Sequence, residues 1–165
     1  MKQQLSHKTI RAGNWDGPHE TVELTYDARF LRRKVLTTTT GTRFLVDLEH
    51  TTSLDHGDAF ELENGALVEV IAAQEDLLEV TGEGLVRIAW HIGNRHTPCQ
   101  IEATRLVIQS DKVIDSMLRQ IGASTRPICE PFTPEGGAYG HGRTHGHDHS
   151  ATHSHHEHDH ADHAH

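Results

Sequence analysis

The spacing of apolar residues changes once along this chain, near residue 75. Before it, apolar and β-branched residues come in short runs at 22–25, 35–39 and 43–48, with Gly41 turning the second run into the third. Further runs at 58–62 and 67–72 flank Glu63-Asn64-Gly65-Ala66. Asn-Gly between two such runs is the strongest short hairpin signal, because both residues accept the positive φ of a type I′ turn. Residues 1–73 therefore predict an all-β domain, and 72–76 reads as a short connection. Beyond it the period lengthens. After a strand at 77–80, Leu85, Ile88, Ala89 and Ile92 recur at i, i+3, i+4 and i+7, one face of a helix. Strands at 99–102 and 105–108 follow. Ser110 offers an N-cap hydroxyl, and Asp111 a carboxylate at the positive end of a second helix. Val113, Ile114, Met117, Leu118 and Ile121 form its apolar stripe, Gly122 stops it, and 125–129 is a last strand. The order β-α-β-β-α-β over 76–139 is the ferredoxin-like split unit. A unit of about 60 residues is marginal alone, so a second copy is a natural way to cover more of its surface. The segment from Pro131 to Gly140 closes the folded part. The expected fold class is α+β: an N-terminal all-β domain, a ferredoxin-like domain, and a disordered tail at 140–165 without hydrophobic periodicity.

One stretch within this pattern carries chemistry. Trp90-His91-Ile92-Gly93-Asn94-Arg95-His96-Thr97-Pro98-Cys99 sets two imidazoles around a Gly-Asn pair. Gly93 and Asn94 both tolerate the left-handed conformation that ends helices, and Pro98 biases Thr97 toward extended backbone. His91 is thus expected on the last helical turn, as a cap or supporting group, and His96 in the exposed turn beyond. A histidine held in a rigid turn is well placed to bind a ligand, although one or two ligands hold a divalent ion poorly. A two-fold axis near His96 would supply a second imidazole. Cys99 reads as a small apolar residue on its strand.

The far end of the chain changes the weight of His96. Eleven of the seventeen histidines are His141, His145, His147, His149, His153, His155, His156, His158, His160, His163 and His165. Several stand in His-x-His spacing with Asp and Glu between them. Neutral imidazole suits nickel, copper and zinc. At two to four imidazoles per ion, the tail would hold roughly three to five ions. A chelator that must order its chain on binding exchanges metal readily, which suits collecting and passing on ions. Histidine must be neutral to ligate, and its reference pKa is about 6.5, so metal release is expected as pH falls through about 6.

Charge and composition narrow the class. The net charge is −9, of which the tail holds −3 (Asp148, Glu157, Asp159 and Asp162 against Arg143), leaving −6 on the body. An acidic body argues against nucleic acid, whose binding rests on Lys and Arg. Within it Arg29, Arg32, Arg33 and Lys34 form a basic cluster, which reads as a solvated face or as a contact with an acidic partner protein. No apolar run approaches the roughly 20 residues of a membrane span, and the N-terminus lacks a signal-peptide core. The expected compartment is therefore the cytosol, with Cys99 and Cys129 as free thiols. The body shows no Gly-rich phosphate loop, Gly-x-Ser-x-Gly elbow or His-Glu-x-x-His motif, which argues against an enzyme. A metal-buffering protein working through the tail alone is the competing class.

His91-Ile-Gly-Asn-Arg-His96 with Pro98, then Asp115-Ser-Met-Leu-Arg-Gln120, then Pro131-Phe-Thr-Pro-Glu-Gly-Gly-Ala-Tyr139 and a His-rich end resemble the urease accessory protein UreE family. Leu36-Thr-Thr-Thr-Thr-Gly41 is similar to its N-terminal half, so the resemblance covers nearly the whole chain. It implies a homodimeric cytoplasmic nickel chaperone and not an enzyme. Its Ni²⁺ is cargo, Zn²⁺ and Cu²⁺ suit the same ligands, and His96 from each subunit binds nickel at the dimer interface. It implies hand-over to apo-urease with the GTPase UreG and the other urease accessory proteins, through the N-terminal domain. No nucleic acid or membrane is implied. Some members carry extra surface histidines before the second helix; here those places are Ser110 and Lys112.

Overall fold

A computed structural model describes residues 3–137. The predicted tail, with its eleven histidines, lies outside the described residues. The described chain is mixed α+β, mostly strand, with two sheets and two helices.

Six strands build the first sheet: β1 (Gln4–Ile10), β2 (Glu20–Leu24), β3 (Phe30–Thr37), β4 (Arg43–Ser53), β5 (Ala59–Leu62) and β6 (Leu67–Ala72). Their spatial order is β2-β6-β5-β1-β4-β3. Alternate residues of these strands point inward. Phe44, Val46, Phe60, Val68 and Val70 are fully buried, with the two phenyl rings edge to face at 5.6 Å. The hairpin at Asn64-Gly65 forms as expected, with Gly65 at φ 85° and Leu62 N–H donating to the Ala66 carbonyl.

The pattern of apolar positions missed β1, although it lies inside the sheet between β4 and β5. Gln-Leu-Ser-His-Lys-Thr-Ile does not alternate cleanly, and its buried position is Ser6. The hydroxyl there is satisfied by donating to the Glu61 carbonyl at 2.9 Å, which makes burial tolerable. The sheet curls so that its two ends meet: Thr39 N–H donates to the Thr21 carbonyl at 2.9 Å. Two threonines of the 36–41 motif and the adjacent Thr42 gather there on Glu20. The hydroxyls of Thr40, Thr42 and Thr38 all donate to its carboxylate and hold its pKa below the ordinary range.

Four strands build the second sheet: β7 (Gln74–Thr81), β8 (Cys99–Ile101), β9 (Leu106–Gln109) and β10 (Ser124–Pro131). Their order is β10-β7-β9-β8, antiparallel at every pair. Helices α1 (Leu85–Asn94) and α2 (Lys112–Gln120) cover one face. Leu78, Val80, Leu106 and Ile108 meet Ile88, Ile92, Ile114 and Leu118 there. On the other face Leu77 and Val107 meet Tyr26 and Phe132.

Four local expectations change. Residues 74–76 belong to β7, so only Ala73 separates the two sheets. The N-cap of α2 is Asp111, not Ser110; its carboxylate accepts from the Val113 and Ile114 N–H groups at 2.8 and 3.0 Å. Val113, placed in the buried stripe, is 69% exposed, because it precedes Ile114 on the first turn and points off the sheet. Arg29, placed in the solvated basic cluster, is 2% exposed. It ends a short 3-10 turn (Asp27–Arg29), donates to the carbonyls of Leu24 and Phe132, and lies over the Tyr26 ring. The periodicity of a strand-rich segment gives no warning of a 3-10 turn that swings one cation inward.

Candidate metal site at the end of the first helix

α1 turns its Leu85, Ile88, Ala89 and Ile92 stripe to the sheet, as expected. The face it leaves to solvent is not polar throughout: Val86 is 88% and Trp90 63% exposed, one helical turn apart. Neither lies on the stripe, so periodicity did not single them out; an aromatic off the stripe was the available signal.

The helix ends differently from the sequence expectation. Gly93 and Asn94 stay helical, and the left-handed residue is His96, at φ 56°. His96 N–H donates to the Gly93 carbonyl at 2.9 Å and Thr97 N–H to the Ile92 carbonyl at 3.4 Å. These are the paired reversed bonds of a Schellman motif, with His96 at the position that glycine usually fills. A side chain bearing Cβ costs on the order of 1 kcal/mol there. Among the described residues His96 is the one non-glycine at positive φ. The imidazole is exposed, as expected, on a backbone that Pro98 keeps from re-entering helix. His91 stands on the last turn, half-buried, its ring edge-on to Trp90 at 5.1 Å.

Cys99 starts β8 and packs half-buried against the core of the second sheet. Burial, aided by the charge of Glu135, pushes its thiol up to about 11. It is therefore protonated at neutral pH, which suits a packing residue better than a ligand.

The segment after β10 is the second feature that the sequence did not expose. Phe132 is fully buried, edge to face with Tyr26 at 5.4 Å. Thr133 donates through its N–H and its hydroxyl to Gln100 Oε1 at 2.9 and 3.3 Å, and Glu135 N–H donates to the Cys99 carbonyl at 2.9 Å. β10 and β8 are opposite edges of the sheet. The strap thus crosses the whole back face and finishes beside the end of α1. Glu135 and Gly136 line a cavity of about 150 Å³ together with Gly93, Thr97, Pro98 and Cys99. The chain that leads to His141 therefore departs from the neighbourhood of His96.

The other described histidines have local partners, His50 beside Glu49 among them. His7 binds the Asp47 carbonyl and Glu63, His19 the Gly17 carbonyl and Glu69, and His56 accepts from Ala72 N–H. Arg95 is exposed and enters no ion pair among the described residues. No group of three or more His, Cys, Asp or Glu among the described residues is arranged to hold a metal ion. No described helix is long and apolar enough to cross a membrane.

Comparison with known proteins follows the same division at Ala73. The model of the UreE urease accessory protein N-terminal domain matches residues 2–73, and that of the C-terminal domain matches 75–165. The urease accessory protein UreE of Ruegeria pomeroyi is 68% identical over 136 residues, 82% of this chain and 91% of that protein. That of Ruegeria sp. strain TM1040 is 66% identical over 130 residues, covering 79% and 74%. That of Rhodobacter capsulatus is 53% identical over 145 residues, covering 86% and 92%.

Proposed function

The chain belongs to the UreE family of urease accessory proteins, helpers of an enzyme and not enzymes themselves, and from that premise we propose that it is a nickel chaperone. Two copies associate through residues 76–139 and present their His96 imidazoles to one Ni²⁺ ion. The histidines of 140–165 gather further ions and feed the shared site. Residues 1–73 contact the recipients: apo-urease, the GTPase UreG and the other urease accessory proteins, in the cytoplasm. Ni²⁺ is cargo, and Zn²⁺ and Cu²⁺ compete for the same imidazoles.

The observation that carries this reading is the backbone at His96. A left-handed residue with a large side chain stands where glycine would cost less, which points to use of the imidazole. Two neighbours support it. Val86 and Trp90 give the same helix an exposed apolar face for a second copy, and the strap starts the tail beside the turn. One chain's described residues do not make a ligand set, so the remaining donors come from a second copy or from the tail.

Nickel calorimetry tests the proposal on the full chain and on a form ending at Gly140, side by side. The short form is expected to keep one tight ion per dimer and to lose the tail's ions. His96→Ala in the short form is expected to abolish the tight ion. A short form that binds no nickel would leave a buffer working through the tail alone.

A further inference from the structure

Away from the α1 turn, the described residues leave charge unused most densely on β3. Arg32, Arg33 and Lys34 are consecutive and exposed, in a body whose net charge is −6. Arg11, Arg105, Arg119 and Arg126 each find a carboxylate. None of the three β3 cations enters an ion pair among the described residues; Arg32 gives its Nε to the Leu48 carbonyl at 3.3 Å, and Arg33 stands across the ladder from Asp47. Residues 32–35 are all exposed, so both faces of the strand are open there, since successive side chains point to opposite faces. β3 is also the terminal strand in the order of its sheet. Phe30 and Val35, 46% and 39% exposed, bracket the cations with apolar surface.

We propose that this stretch of β3 docks an acidic, partly apolar segment of the protein assembly that receives the nickel. The proposal rests on the chaperone reading above and names the surface and the chemistry of the partner. Cations on both open faces, with Phe30 and Val35 exposed beside them, match an extended polypeptide that sets carboxylates among apolar residues. Exclusion of water around such a contact strengthens the charge pairing, and the charges set its on-rate and salt dependence. A nucleic acid or an anionic bilayer fits less well. Either presents a continuous field of phosphates, which would meet Asp47 and Glu49 on the neighbouring strand as well as the cations. β3 lies in the first sheet and His96 follows α1 on the second, so docking here does not consume the metal ligand.

The test is association of the nickel-loaded full chain with purified apo-urease assembled with its other accessory proteins, by biolayer interferometry at 50 and 300 mM NaCl. Wild type is expected to bind about tenfold more weakly at the higher salt. Arg33→Gln with Lys34→Gln is expected to weaken binding five- to tenfold at low salt and to flatten the salt dependence. Lys34→Glu, opposite Val46 where it meets no like charge, is the second variant and is expected to act in the same direction. Nickel calorimetry of both variants should match wild type. Variants that bind the assembly as wild type does, or a wild type that does not bind it, would overturn the proposal. So would tighter, Lys34-dependent binding to a DNA duplex or to phosphatidylserine vesicles. A wild type that fails to bind nickel would defeat the chaperone reading instead, which separates the two failures.

Discussion

Phe132→Ala asks whether the strap after β10 is part of the fold and whether it steers the tail. The ring is fully buried among Tyr26, Leu77 and Val107, and its backbone carbonyl accepts from the buried Arg29 guanidinium at 2.5 Å. Deleting a buried phenyl ring costs about 3–5 kcal/mol, and the edge-to-face partner adds about 0.5–1.5 kcal/mol to such a contact. Because the strap can peel locally and spare the rest, the lower part of that range applies, about 3 kcal/mol. With a urea m-value of about 2 kcal/mol/M, the midpoint should fall by about 1.5 M. Cleavage at the exposed Glu135 by a glutamate-specific protease should accelerate well before global unfolding. The functional consequence follows from the path. A peeled strap no longer releases the tail beside His96, so tight nickel binding should weaken in the full chain and stay unchanged in the form ending at Gly140. A midpoint shift below about 0.5 M, or equal nickel affinities for Phe132→Ala and wild type in the full chain, would refute the reasoning.

Two further predictions come from other contacts. Asp111→Ala removes the carboxylate that caps α2 and should cost about 1 kcal/mol in urea unfolding, whereas Ser110→Ala should be close to neutral. His19 is held by the Gly17 carbonyl and by Glu69 at 2.8 Å, and these bonds raise its pKa above the ordinary histidine value. Its charge therefore stabilises the fold fully below about pH 6.5, and that contribution disappears as pH rises through the raised native value. Wild type should exceed His19→Gln in stability by more at pH 5.5 than at pH 8.5; equal differences at the two pH values would contradict it.

What the sequence disclosed followed the strength of local signals. The strands of the first sheet with clean alternation, the Asn64-Gly65 hairpin and the stripe of α1 all announced themselves, because burial imposes a period that a reader can count. β1 did not, since its inward position is Ser6, whose burial is paid for by a hydrogen bond from a distant strand. Arg29 and Phe132 did not either. Each is buried by a partner about a hundred positions away, and neither has a local pattern that could report it. The cap of α2 was misplaced by one residue because Ser110 and Asp111 are both good caps, and only backbone geometry chooses between them. The exposed Trp90 and the strap were legible only as residues that failed to fit a stripe or a repeat.

His96 is the case where local rule and observed structure conflict most directly. Gly93 and Asn94 are the residues that tolerate the left-handed conformation most readily, yet the turn passes that conformation to a histidine. Two substitutions separate what the backbone wants from what the imidazole does. His96→Ala and His96→Gly remove the same ring and the same contacts. They differ in that alanine keeps the Cβ that strains a φ of 56° and glycine does not. His96→Gly should therefore be more stable than His96→Ala by a net of about 0.5–1 kcal/mol in apo-protein unfolding, since about 1–2 kcal/mol of left-handed strain is relieved and about 0.4–1 kcal/mol is lost to the unfolded-chain entropy that glycine adds. Both should lose the tight nickel ion in the form ending at Gly140. If the glycine variant is no more stable than the alanine variant, His96 bears no backbone strain, and its conformation carries no sign of function. If the glycine variant is the more stable and still binds nickel tightly, the strain is real but serves something other than the metal.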